Sequence, residues 1–332
     1  MSDSATAATS TLASDVGGQT RLQSLWAQDT WRLAKDWKAV LGLRSEHWTA
    51  SNGHTTVAGV VNTASPYPAR SESSLSPKAA LAYQARPDLV FKTSLGRAVR
   101  YPTVGELYGS TSTSTSIYIN DPNLLPEKAL SQEWSVEKDL GNGWLRGTVF
   151  LEDTRNSLYS QTVFDSNAGK NLTNVRNIGR IATQGLEVSY QGVDVMTRGF
   201  DLSTSLTYAE SKIRENMGYV FSAGDTIGSY QPRVPLLRAT ASAVYRWSDK
   251  LSTSLGARYS GKQYTSLNNL DVNGFAYQAA SKFFVLDARV RYKLDKATSF
   301  ALGIDNLNNY QYWNFHPYPQ RTYHAELRID WK

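Results

Sequence analysis

The chain has 332 residues, 41% hydrophobic, with a formal net charge of +6, no cysteine and an unusual aromatic load of 19 Tyr, 10 Phe and 9 Trp. No apolar run approaches the ~18 residues that suggest a membrane helix, which excludes a helical membrane protein. The lack of cysteine removes disulfides, thiolate catalysis and cysteine metal sites, and the dispersed charge offers no basic block of the kind that marks nucleic-acid binding.

Residues 1–19 form a polar Ser/Thr/Ala/Gly stretch without the basic and apolar regions of a secretory signal. From there the dominant pattern is strict alternation. About thirteen segments carry it, near 20–33, 37–48, 73–85, 88–98, 128–140, 143–156, 175–191, 199–212, 233–247, 250–264, 281–294, 297–306 and 321–331. In the last, Tyr323, Ala325, Leu327, Ile329 and Trp331 oppose Thr322, His324, Glu326, Arg328 and Asp330. Such period-two alternation gives a strand two unlike faces.

The connections alternate as well. Short turns such as "ARPD", "LGNG", "WSDK" and "LDKA" take turns with long Ser/Thr/Asn/Tyr-rich loops near 49–72, 99–127, 157–174, 213–232, 265–280 and 307–320. The repeat unit is thus a long hairpin, with every long loop at one end. A soluble β-sandwich also alternates, but has no reason to place its long loops this way. A transmembrane barrel requires it, and gives the apolar face a solvent, the bilayer, and the polar face another, a wet lumen. The predicted fold class is all-β: an antiparallel up-and-down transmembrane β-barrel.

Four stretches resemble the TonB-dependent receptors of Gram-negative outer membranes. They are "SLGRAVRYPTVGELY" (94–108), "DPNLLPEKALSQEWSVE" (121–137), "NVRNIGRIATQGLEVSY" (174–190) and "GIDNLNNYQYW…HPYPQRTYHAELRIDW" (303–331). The resemblance implies about 13 strands of a 22-stranded barrel, with residues 1–19 as the disordered remnant of an outer loop, residues 20–332 as the C-terminal part of the barrel and the plug domain absent. It implies an outer-membrane active transport receptor for a bulky nutrient such as an iron–siderophore complex, energised by TonB through a missing N-terminal region. Outer-membrane lipid and lipopolysaccharide would be its surroundings. A passive porin and a non-functional truncated remnant are the alternatives. No nucleic-acid partner, cofactor or metal is expected.

The resemblance also points to residues. Arg97, Arg100 and Glu106 belong to a family-wide motif and are expected to face the plug or fix a loop root. Loop aromatics are expected to contact ligand: Tyr108, Tyr118, Tyr219, Tyr230, Tyr277, Trp313 and Tyr318, with His316 beside them, and Tyr67 and Phe275 as further candidates. Asn306 and Asn309 should shape a turn. Trp26, Trp31, Trp37, Trp48, Trp134, Trp247 and Trp331 read as an interfacial girdle. His47, His54, His316 and His324 show no metal-ligand spacing, and no GxSxG, P-loop or GxGxxG is present. The chain reads as a non-enzyme.

Overall fold

A computed structural model describes residues 14–57, 66–165, 167, 169–216 and 226–331. In chain order the elements are β1 (Ser14–Ala34), β2 (Trp37–Val57), β3 (Arg70–Arg86), β4 (Leu89–Arg100), α1 (Val104–Tyr108), β5 (Ser110–Ser112), β6 (Ser116–Ile119), β7 (Glu127–Asp139) and β8 (Gly143–Asp165). There follow β9 (Lys170–Gly192), β10 (Phe200–Glu215), β11 (Leu237–Arg246), β12 (Leu251–Ser260), β13 (Phe283–Lys293), β14 (Thr298–Asp305), β15 (Trp313–Asn314), β16 (His316–Pro317) and β17 (Thr322–Ile329).

Thirteen strands form one curved wall in meander order, β1-β2-β3-β4-β7-β8-β9-β10-β11-β12-β13-β14-β17. Each neighbouring pair is antiparallel, and β1 and β17 are the edges of an open sheet. The predicted all-β, up-and-down architecture and its thirteen long strands are therefore observed.

Register fixes the two faces. Leu255, Ala288, Ile304 and Tyr323 form one lateral row, and Thr253, Val290, Leu302 and Ala325 the next. Between them runs the row Ser254, Arg289, Gly303 and His324. A one-residue slip would exchange these sets, so the pattern specifies the register strongly. On the polar face, Lys92 meets Glu137 at 2.5 Å and Arg146 lies 3.4 Å from the same carboxylate. The apolar face holds Trp37 stacked on Tyr83 at 4.5 Å, in a band with Phe91, Trp134, Val149 and Leu186.

Three sequence expectations change. First, β1 begins at Ser14, with Ser14–Gly17 paired to His54–Val57, so residues 14–19 of the expected loop remnant 1–19 are strand, while residues 1–13 lie outside the described residues. Gly17 and Gly18 erase the alternation there. Second, most of the expected loop 157–174 is ladder: β8 and β9 stay paired from Ser157↔Ile178 to Asp165↔Lys170. Third, Trp48 is no girdle residue. It is 2% exposed on the polar side, in a core with Tyr101, Leu107, Tyr108, Leu124 and Val175. Trp26 shares that face, lining a cavity with Arg44, Glu46 and Lys78. Both have even-numbered positions in strands whose apolar face is odd, which a reading of aromatics near strand ends does not weigh.

The assigned faces predict unequal costs for a new charge. Leu206→Arg, on the apolar face between Val188 and Ala239, should cost about 2–4 kcal/mol of barrel stability. Ser203→Arg, on the polar face between Gln191 and Ser242, should stay within roughly 0.5 kcal/mol. Folding titrations in lipid vesicles measure both, and equal penalties would refute the facing.

Candidate functional site

At the loop end, the segment between β4 and β7 carries a capped helix and buried side chains. Pairing of β3 with β4 stops at Lys78↔Gly96, while β4 continues along β7 to Arg100↔Glu127. The sheet splits there, and a cavity of about 810 Å³ lies at the split, lined by Lys78, Arg97, Arg100, Tyr101, Glu46 and Trp48 among others. Arg97 lies on the same face as Leu95, opposite Leu130.

Beyond the split, Thr103 and Glu106 form a reciprocal cap on α1. Glu106 N donates to Thr103 Oγ1 at 3.3 Å, and Thr103 N donates to the Glu106 carboxylate at 2.9 Å. Arg100 Nη1 donates to both carboxylate oxygens at 3.0 and 3.2 Å. Burial alone would raise the Glu106 pKa, but the Thr103 and Arg100 hydrogen bonds outweigh it and hold it below its ordinary value of 4.5. Arg100 and Glu106 thus meet each other at the loop root. Tyr108 is 2% exposed, and its ring lies flat against backbone: a Cβ on Gly18 or Gly53 would sit 2.6 or 2.4 Å from it. Tyr67 stacks on it at 5.6 Å. Asn120 ties the segment to β9, with its Oδ1 accepting from Val175 N at 2.9 Å. Tyr118 pairs with Thr173 in a short parallel contact, and its hydroxyl accepts from Asn120.

A second group gathers on the three loops after β10, β12 and β14. Tyr277 lies edge-on to Trp313 at 5.1 Å and to His316 at 5.9 Å. Phe315 sits edge-on to His316 at 4.8 Å, with the Arg233 guanidinium 5.8 Å above its ring. Tyr230 stacks on Tyr264 at 6.2 Å, and Lys212 and Lys262 cover those rings at 5.1 and 4.6 Å. Backbone bonds knit the loops: Arg233 N to Tyr264 O at 2.7 Å, Gln278 N to Phe315 O at 2.8 Å and Phe315 N to Ala279 O at 2.9 Å. Arg233, Gln278 and Phe315 all have left-handed φ, between 63° and 69°. Such side chains carry strain of about 1–3 kcal/mol each, a feature that clusters at ligand sites. Asp271 holds its loop by accepting from Thr265 and Ser266. Burial would raise its pKa, but those bonds outweigh it and lower it.

Of the expected ligand residues, the structure brings together Tyr277, Trp313 and His316, with Tyr230 on the adjoining loop. Tyr318 stacks instead on Tyr312 at 4.8 Å, Phe275 is exposed, and Tyr219 lies outside the described residues. Asn306 and Asn309 have φ of 55° and 51°, as turn residues do. Sequence reasoning missed Arg233, Phe315, Tyr264, Lys212 and Lys262. Cations over aromatic rings leave no spacing signal when the partners sit on different loops. Among the described residues no group of acidic, histidine or cysteine side chains is gathered to hold a metal ion.

Residues 2–307 match the family model described as TonB dependent receptor-like, beta-barrel. The chain is 24% identical over 301 residues to the "Probable TonB-dependent siderophore receptor PiuA" of Acinetobacter baumannii, covering 87% of this chain but 37% of that protein. Among solved structures it is similar to the copper transporter OprC, with TM-score 0.72 at 16% identity, covering 93% of this chain and 48% of that one. It is also similar to the ferric-catecholate import receptor Fiu of E. coli in its closed form, with TM-score 0.69 at 19% identity, covering 94% and 45%. The chain thus spans well under two thirds of the proteins it resembles.

The capped loop root should be acid-sensitive. A carboxylate held below its ordinary pKa stabilises the fold above pH 4.5, and that contribution is lost as pH falls through the lowered value. Pepsin cleavage within 103–119 should therefore rise steeply below that pH. In Glu106→Gln it should be high and flat. A wild-type rise that persists unchanged in Glu106→Gln would show that another group governs it.

Proposed function

The chain belongs to the TonB-dependent receptor β-barrel family, and from that premise we propose that it forms wall and outer loops of an active importer. The receptor sits in the outer membrane of a Gram-negative bacterium. Its cargo is a bulky, anionic, aromatic metal chelate, of which a ferric siderophore is the first choice. The wall would supply C-terminal strands of a larger barrel, residues 20–332 on the sequence reading. The plug and the TonB-contacting segment of that barrel would couple capture to energy. Lipid and lipopolysaccharide surround the apolar face. The family consists of transport receptors, and a non-catalytic role is part of this reading.

One observation carries the choice of cargo. Tyr277, Trp313, His316 and Phe315 present aromatic surface next to the Arg233 guanidinium, on three loops joined by backbone hydrogen bonds. Flat rings offer area at low entropic cost, and a guanidinium over a ring suits an anionic, planar ligand. The names of the relatives, siderophore and catecholate receptors among them, point the same way.

Titration of the protein with a ferric tris-catecholate, followed by tryptophan fluorescence, tests this. Trp313→Ala combined with Arg233→Gln should weaken binding by about ten- to a hundredfold, the loss of one aromatic contact and one cation–π pair. Unchanged affinity in the double variant would move the ligand elsewhere. Uptake that persists in a host lacking TonB would favour a passive pore.

A further inference from the structure

Strand β13 carries one face from the aromatic loop cluster to the turn end of the wall. Its odd-numbered residues share that face: Phe283, Val285, Asp287, Arg289, Arg291 and Lys293. At the top, Phe283 packs on Tyr312 at 4.7 Å, and the hydroxyl of the nearby Ser281 accepts from Trp313 N at 2.9 Å. Asp287 then accepts from Arg258, from Nε at 3.1 Å and from Nη2 at 3.4 Å. Below it every charge is positive. Arg289, Arg291 and Lys293 recur at intervals of about 6.8 Å down the strand. Their lateral neighbours are small: Ser254 and Gly303 flank Arg289, Ser252 and Ala301 flank Arg291, and Ser299 flanks Lys293. The cationic stripe is thus bordered by residues too short to cover it.

Elsewhere on the polar face cations are answered. Lys92 and Arg146 share Glu137, and Arg246 binds Asp194 and Asp201. On β13 the answer is weak. Arg289 lies 3.9 Å from Asp305, a carboxylate that His324 also approaches at 3.8 Å. Arg291 Nη2 donates to the Ser299 hydroxyl at 3.2 Å. Among the described residues no carboxylate comes within ion-pair distance of Arg291 or Lys293. The stripe ends in a cavity of about 530 Å³, which Lys250, Lys296 and Arg328 also line. Those cations face Asp249, Asp295 and Asp330, and two of the three carboxylates are engaged. Asp295 accepts from Ala297 N and Thr298 N at 2.8 Å, and Asp330 from Arg328 Nε at 3.0 Å. A recess lined mainly by one sign of charge concentrates counter-ions.

We propose that Arg289, Arg291 and Lys293 form a track for multivalent oxyanions along the inner face of the wall, ending in a binding site at Arg291, Lys293 and Lys250. Phosphates and clustered carboxylates fit it, because their oxygens take charge-assisted hydrogen bonds from two cations at once. On the receptor reading above, the track gives an anionic cargo a path from the loop cluster to the turn end. That use rests on the reading; the anion site does not.

Calorimetric titration of the full chain in detergent with pyrophosphate tests this. Wild-type protein should bind it saturably, with an affinity that falls as salt is raised. Arg291→Gln with Lys293→Gln should bind at least about tenfold more weakly, for the loss of two charged donors. The charge-conserving pair Arg291→Lys with Lys293→Arg should restore most of that loss, and Lys92→Gln should bind as wild type does. No saturable binding by wild type, or equal affinity in the Gln pair, overturns the track. So does pyrophosphate binding that is lost instead in Trp313→Ala with Arg233→Gln, which would place the anion on the loops. Intact pyrophosphate binding beside an unchanged tris-catecholate affinity in that loop variant would remove the cargo reading and leave the track standing.

Discussion

In hydrocarbon a backbone N–H or C=O has no water to turn to, and each unsatisfied group costs several kcal/mol. That constraint organises the wall. Its thirteen strands are joined in continuous antiparallel ladders, and the side chains are then free to serve two solvents at once. Charges such as Arg289, Arg291 and Glu326 occupy the rows between the apolar ones, and the ion pairs of Glu137 with Lys92 and Arg146 lie across the polar face. Where the ladder stops, at Lys78↔Gly96, the sheet opens and a cavity appears. Irregular backbone begins where the wall leaves the apolar band.

The loop end obeys a different rule. A five-residue helix such as α1 is far too short to be stable by itself. It exists because its cap is complete and because Leu107 and Tyr108 are buried against β1 and β2. The packing is close enough that only glycine fits at Gly18 and Gly53. Here tertiary burial supplies what propensity cannot, and Arg100 and Glu106 act as struts of that arrangement.

The barrel is legible in the sequence because its governing pattern is local. Alternation and loop length follow from chain neighbours, so strands such as 143–156 and 321–331 stand out from residue order alone. The errors have physical reasons. Residues 14–19 pair with β2 through glycines that carry no face, and residues 157–174 continue a ladder in polar sequence, where binary pattern is silent. Trp48 belongs to the core because face, not distance from a strand end, decides exposure. The candidate site is half legible. Tyr277, Trp313 and His316 are readable as loop aromatics, but their convergence, and the arrival of Arg233 from another hairpin, depend on contacts far apart in sequence.

That convergence has a mechanical consequence. Three loops that moved independently would each have to be ordered by a ligand, at an entropic cost per residue of about 1–2 kcal/mol. Here the ordering is done in advance by backbone bonds of 2.7–2.9 Å between the loops, and by Asn269, which both donates to and accepts from Tyr230. Preorganisation of this kind raises affinity by removing costs rather than adding contacts. It also couples the loops. A displacement of Phe315 must strain its bonds to Gln278 and Ala279, and a shift of that segment meets the Ser281 bond to Trp313. The left-handed conformations of Arg233, Gln278 and Phe315 lie at these junctions, so the strain is held where the loops meet and not along any one of them. A displacement of one ring therefore bears on the hairpins bonded to it as well.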